Sequence, residues 1–182
     1  MVRNWVIVVL LLGALNFSAW WSYRNRQEHR FDAEIRTAAA RYGVAPALVK
    51  AVVWKESRFD PGARGKAGEI GLMQLMEDTA FEWAGSQRLP DFAHEHVLHP
   101  GTNTLAGTYY LGKVLRRYLR TDNPLPYALA DYNAGRGRVL RWMNGPAATN
   151  SAAFLAQVDI PSTRAYIADV TGRFAHYRAN FR

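Results

Sequence analysis

Glu56-Ser57 and, fifteen residues further on, Gly71-Leu72-Met73-Gln74 are the groups of this chain whose types and spacing could do chemistry. The carboxylate closes a segment, residues 47–56, whose apolar residues fall at helical spacing, and Leu48, Val49, Val52 and Val53 share the face that carries Glu56. An acid on an apolar face is poorly solvated when charged, so its pKa rises, which suits a general acid working near neutral pH. The structural alternative is a glutamate capped or paired at a helix end. Its surroundings must decide between the two.

The elements that would position these groups read as helices throughout. Phe31 to Tyr42 forms a short Ala-rich helix closed by Gly43, and Pro46 sits near the start of the Glu56 helix. Glycines 62, 65, 68 and 71 mark a loop whose backbone can approach a ligand closely. Leu72 to Trp83 resumes helical spacing, and Ser86 to His99 reads as an irregular surface loop. Thr102 to Arg120 is a long helix with Leu105, Tyr109, Leu111, Val114, Leu115 and Tyr118 on one side and Lys113, Arg116, Arg117 and Arg120 on the other. Leu125 to Asn133, Arg136 to Met143, Ala152 to Val158 and Ser162 to Phe181 complete the helices, and no run alternates well enough for a strand. An all-α domain follows.

Composition sets the frame. The chain has 182 residues, of which about the first 30 read as a membrane segment and linker, leaving residues 31–182 for one domain with a real core. A net charge of +8 favours a polyanionic partner, whether nucleic acid, an anionic membrane surface or an acidic cell-wall polymer. With no cysteine, a disulfide framework, a thiolate metal site and a lipidated cysteine are excluded. The apolar run from Trp5 to Trp21 is broken only by Asn16 and Ser18, and no small-x-small cleavage site ends it, so it reads as an uncleaved anchor rather than a cleaved signal. Trp20, Trp21 and Tyr23 suit a membrane interface, although Arg24, Arg26 and Arg30 after the segment outnumber Arg3 before it, a bias that would hold the domain in the cytoplasm.

Three blocks carry a resemblance. Glu56-Ser57-Arg58-Phe59-Asp60-Pro61, Gly71-Leu72-Met73-Gln74 and Ala128-Leu129-Ala130-Asp131-Tyr132-Asn133-Ala134-Gly135 resemble, in order and spacing, the motifs of the soluble-type lytic transglycosylases, glycoside hydrolase family 23. The likeness spans about residues 44–178 and takes in Asn103 through Leu111 and the segment Thr163-Arg164-Ala165-Tyr166. It implies a goose-type-lysozyme-like helical fold that cleaves peptidoglycan between N-acetylmuramic acid and N-acetylglucosamine without water, leaving a 1,6-anhydro ring. On that resemblance Glu56 is the single catalytic acid and then base, Tyr132 hydrogen-bonds Glu56 or the sugar, Asn133 accompanies it, Gln74 binds saccharide, Met73 forms an apolar wall, Tyr110 lines the groove and Ser57 supports the helix end beside the substrate. No cofactor or metal is implied. The implied place is the periplasmic face of the inner membrane, held through residues 5–21, or the soluble periplasm if the segment is cleaved.

Departures from the family pattern bear on substrate contacts. Gly65 stands where many members have a serine credited with contacting the N-acetyl group, Gly68-Glu69 replaces the usual Gly-Ala, Asp131 stands where alanine is common, and Ser162 where a glutamate often precedes Thr-Arg. Glu69 and Asp131 add carboxylates near the implied groove, which keeps a hydrolytic muramidase in play. A non-catalytic glycan-binding or scaffold domain of the same fold is the other alternative. His94, His96 and His99 lack the one-face spacing of helical metal ligands. Arg136, Arg138 and Arg141 with Trp142 lack any recognised nucleic-acid motif and read as a solvated face.

Overall fold

The computed structural model describes residues 2–181, the side chains of 2–12, 14 and 19 excepted. The helices are α1 (Val2–His29), α2 (Asp32–Tyr42), α3 (Pro46–Ser57), α4 (Glu77–Ser86), α5 (Pro100–Arg117), α6 (Pro124–Ala134), α7 (Arg136–Trp142), α8 (Ser151–Gln157) and α9 (Pro161–Arg178). Short 3-10 turns at His94–Leu98 and Gly145–Ala148 join them. Among the described residues there is no strand, only isolated bridges pairing Ile70 with Arg64 and with Leu75. The all-α expectation holds.

Local signals explain most boundaries. Gly43 takes the left-handed conformation, φ 66°, and its N–H closes α2 on Ala39 O. Prolines open α3, α5, α6 and α9 at positions where a helix has no use for the missing N–H. The expected amphipathic face of the Glu56 helix is corrected by the packing: Ala47 through Val53 are all buried, Lys50 included, because α3 lies between α2 and α9 and touches α5. A helix apolar all round is a central helix. Lys50 is accommodated by an ion pair to Asp32 at 2.6 Å and by the faces of Tyr177 and Phe181.

The helix expected over Leu72 to Trp83 begins only at Glu77. Residues 71–75 form a tight turn instead, with Gly71 at φ 79° and Gln74 at φ 47°. The side chain of Asn103, fully buried on α5, decides it: Oδ1 accepts from Met73 N–H at 2.8 Å while Nδ2 donates to Ile70 O and Val97 O. Backbone groups that a helix would have used are thus taken by a side chain. The expected loop Ser86 to His99 carries the 3-10 turn whose Val97 is buried beneath it. The expected anchor, residues 5–21, lies in large part outside the described side chains; among the described residues no helix is long and apolar enough to cross a membrane.

Candidate active site

Glu56 occupies the last turn of the central helix, half-buried. The chain leaves the helix at once through two consecutive left-handed residues, Arg58 at φ 54° and Phe59 at φ 66°. Neither is a glycine, so each stores strain of about 1 kcal/mol or more. Burial of the Phe59 ring and stacking of the Arg58 guanidinium 3.4 Å from the Trp54 ring centre offset it. Gln74, inside the glycine-led turn, is strained in the same way, so of the four non-glycine residues with positive φ among the described residues all but Arg88 lie beside the acid or in that turn.

Ser57 locks those two pieces together. Its Oγ donates to Leu72 O at 2.8 Å, with Val53 O at 3.1 Å, so the hydroxyl is committed to backbone rather than to a ligand. Met73, expected as an apolar wall, is fully buried instead, because the small Gly107 on α5 lets its side chain pack inward against Thr108. Its backbone oxygen faces the site and accepts from Tyr132 Oη at 2.9 Å. Of the two partners expected for Tyr132, Glu56 or the sugar, Glu56 does not receive its hydroxyl proton. The partner of Glu56 is Tyr166 on α9, buried, whose hydroxyl donates to Glu56 Oε1 at 2.6 Å. Tyr166 belongs to the Thr163-Arg164-Ala165-Tyr166 segment, which the sequence marked without assigning this role. Thr163 of the same segment donates to Asn133 Oδ1 at 2.9 Å, fastening α6 to α9.

Electrostatics follow from this cage. Burial is the main cause that lifts the Glu56 pKa from an ordinary 4.5 to about 7; the Tyr166 hydrogen bond and Lys55 pull it down, and Glu69 pushes it up. Burial first and the Glu56 charge second hold Tyr132 and Tyr166 well above the ordinary tyrosine value, so both hydroxyls stay protonated. Tyr110 and Tyr132 lie 5.5 Å apart, ring centre to ring centre. With Gln74, Met76, Thr79 and Asn133 they line a cleft of about 230 Å³. Asp131, expected as a carboxylate near the groove, does border this cleft, but its side chain is fully buried and bound by Arg117 and by Tyr118 Oη at 2.6 Å, so its charge is held in a structural ion pair. Glu69 remains beside the site, half-buried, its Oε2 accepting from Ala67 N–H at 2.9 Å.

One near-neutral carboxylic acid, oriented by a buried tyrosine and close enough to act electrostatically on Tyr132, which lines a cleft walled by aromatic and amide groups, defines a lysozyme-like helical domain with a single candidate general acid. Residues 33–155 match the family model described as the Transglycosylase SLT domain, and the chain belongs to that family. It is 31% identical over 157 residues to the soluble lytic murein transglycosylase of Salmonella typhimurium, covering 83% of this chain and 24% of that protein. It is 33% identical over 128 residues to the membrane-bound lytic murein transglycosylase C of Yersinia pestis, covering 66% of this chain and 35% of the relative. Among solved structures, it resembles an inactive Glu→Gln mutant of the lytic transglycosylase Slt from Pseudomonas aeruginosa at 27% identity and a TM-score of 0.73, over 81% of this chain and 24% of that one. It also resembles the 70-kDa soluble lytic transglycosylase in complex with bulgecin A at 26% identity and a TM-score of 0.75, over 88% and 26% of the two chains. The chain thus spans about a quarter to a third of the length of these relatives.

Proposed function

We propose that this chain is a peptidoglycan lytic transglycosylase with Glu56 as its only catalytic acid and base. The observation that carries the reading is the state of Glu56: a pKa of about 7, with Oε1 held by Tyr166 and Oε2 free of any hydrogen bond among the described residues. Protonated Oε2 gives its proton to the oxygen linking N-acetylmuramic acid to N-acetylglucosamine as the glycosidic bond breaks. The resulting carboxylate takes the proton of the muramic C6 hydroxyl, whose oxygen bonds to the anomeric carbon and closes the 1,6-anhydro ring. Each proton is accounted for, and the tethered hydroxyl replaces a water. The inactivity of the Pseudomonas relative with a single Glu→Gln substitution is in keeping with a lone essential glutamate. Gln74, Tyr110, Tyr132 and Asn133 are the proposed saccharide contacts; Ser57 and Met73 act through the backbone they hold.

The test is a digest of sacculi by the full chain in detergent, read by mass spectrometry. Anhydromuropeptides are expected, and Glu56→Gln should abolish them while glycan binding persists. Glu69 beside Glu56 favours one second reading, a hydrolytic muramidase in which a water attacks. Products with reducing ends would establish it and refute the transglycosylase. For placement we propose an uncleaved anchor that leaves the domain in the periplasm. Leu15, Phe17, Trp20, Trp21 and Tyr23 of α1 are all exposed, a row of apolar side chains that a bilayer would cover. A fusion reporter active only in the cytoplasm would refute that placement.

A further inference from the structure

Two departures from the family pattern meet at one point. A Cβ on residue 65 would overlap Glu69 Oε2 and stand 3.1 Å from Gln74 Oε1, so the carboxylate of Glu69 fills the room that a side chain at Gly65 would need. Its position is fixed from both ends. Gly65 N–H donates to Glu69 O at 2.7 Å, and Ala67 N–H donates to Oε2 at 2.9 Å. The amide of Gln74 has no freedom either. Both of its hydrogens are spent on Ala63 O and Gly71 O, at 3.1 and 2.9 Å, so the atom turned toward Glu69 is the acceptor Oε1.

Two acceptor oxygens therefore converge over Gly65, and the donor that reaches Glu69 Oε2 from the protein, Ala67 N–H, carries no charge. Among the described residues no lysine, arginine or histidine pairs with Glu69, and Lys55, the basic neighbour on α3, is bound to Asp169 at 2.6 Å. A neutral ligand laid over this spot would strip water from an uncompensated carboxylate, which is unfavourable. A primary ammonium supplies three donors and the missing charge. We propose that Glu69, with Gln74 Oε1, is a specificity determinant that selects a positively charged hydrogen-bond donor on the glycan strand. This rests on the peptidoglycan reading above and narrows its substrate class to strands bearing free amines. Such an amine stands either on a de-N-acetylated sugar or on the diamino acid of a stem peptide. The influence of Glu69 on Glu56 shows that the same group also reaches the proposed acid electrostatically.

The experiment measures binding, not turnover, using the full-length Glu56→Gln chain in detergent at about 0.15 M salt, where the +8 charge of the protein is screened beyond about 8 Å. One arm compares stem-free strands with their sugar amines free or acetylated. The other compares fully N-acetylated strands whose stem-peptide amines are free or acetylated. The proposal expects about tenfold tighter binding to the amine-bearing member of one arm, and that arm identifies the source. Adding Glu69→Gln should erase the preference while leaving strand binding. The double change Gly65→Ser with Glu69→Ala, which refills the same space with a neutral hydroxyl, should erase it too. Equal binding in both arms, or a preference that survives Glu69→Gln, overturns the proposal. Failure to bind any strand would instead refute the peptidoglycan reading itself.

Discussion

Replacing Glu56 by Gln should stabilise the fold at alkaline pH and leave it nearly unchanged at acid pH. The folded-state pKa of about 7 lies above the ordinary 4.5 that the unfolded chain would show. Below 4.5 both states hold the proton and the group is neutral with respect to stability. Between 4.5 and 7 the folded state binds a proton that the unfolded state has released, so stability falls as pH rises; above 7 the loss is complete. Each pH step between the two values is worth about 1.4 kcal/mol, so the whole loss is about 3 kcal/mol. Gln keeps an acceptor for Tyr166 but never ionises. The advantage of Glu56→Gln over the parent should therefore grow by about 3 kcal/mol from pH 4 to pH 8, which for a domain of this size is near 10 °C in melting temperature, on the order of 2–4 °C per kcal/mol. Urea unfolding of both proteins at the two pH values measures it. Parallel pH dependences would refute the claim that burial at the end of α3 is what holds the proton on Glu56.

Two substitutions should move the Glu56 titration in opposite directions, followed by carbon-detected NMR of the carboxyl. Tyr166→Phe removes the donor that favours the charged form, so the midpoint should rise above about 7; Glu69→Gln removes a neighbouring negative charge, so it should fall. A shift of the same sign in both would contradict the opposed influences of Tyr166 and Glu69 on Glu56. Asn103→Ala should cost about 3 kcal/mol in urea unfolding, since Met73 N–H, Ile70 O and Val97 O all lose their partner in a buried place; a loss under about 1 kcal/mol would mean that water replaces the amide. Asp131→Ala, although it restores the common family residue, should destabilise by about 2–4 kcal/mol because Arg117 and the Tyr118 hydroxyl are left unpaired. An unchanged midpoint would show that Arg117 simply turns to solvent.

Much of the scaffold was legible because its signals are local. Gly43 and Pro46 punctuate the entry to α3, Pro161 opens α9, and the apolar spacing of α5 extends over several turns. The turn at residues 71–75 was not, since Leu72, Met73 and Leu75 carry a helical pattern and the group that overrides it, Asn103, stands 30 residues beyond Met73. Tyr166 was hidden by distance in the same way, 110 residues from the carboxylate it orients. Tyr132 was expected to bond either Glu56 or the sugar because its neighbours match a motif, yet its hydroxyl donates to the Met73 carbonyl. Gly65 and Glu69 read as two unrelated departures along the chain, and only the overlap of one side chain with the space above the other shows that they are a single change.

A group that must first give a proton and then take one back works best when neither state is strongly preferred. Burial alone would push Glu56 toward the permanently protonated form, and a bare carboxylate on a helix end would sit near 4.5 with almost no acid present at pH 7. Tyr166 supplies the opposing pull through Oε1 only, so the correction is made without occupying the oxygen that would exchange the proton. Tyr132 cannot do the same, because its hydroxyl is held on Met73 O in a turn whose shape depends on Asn103 and Gly71. On the proposed mechanism the two tyrosines therefore divide the work. Tyr166 sets the proton affinity of the acid, and Tyr132 sets the position of the turn that presents Gln74 to the sugar.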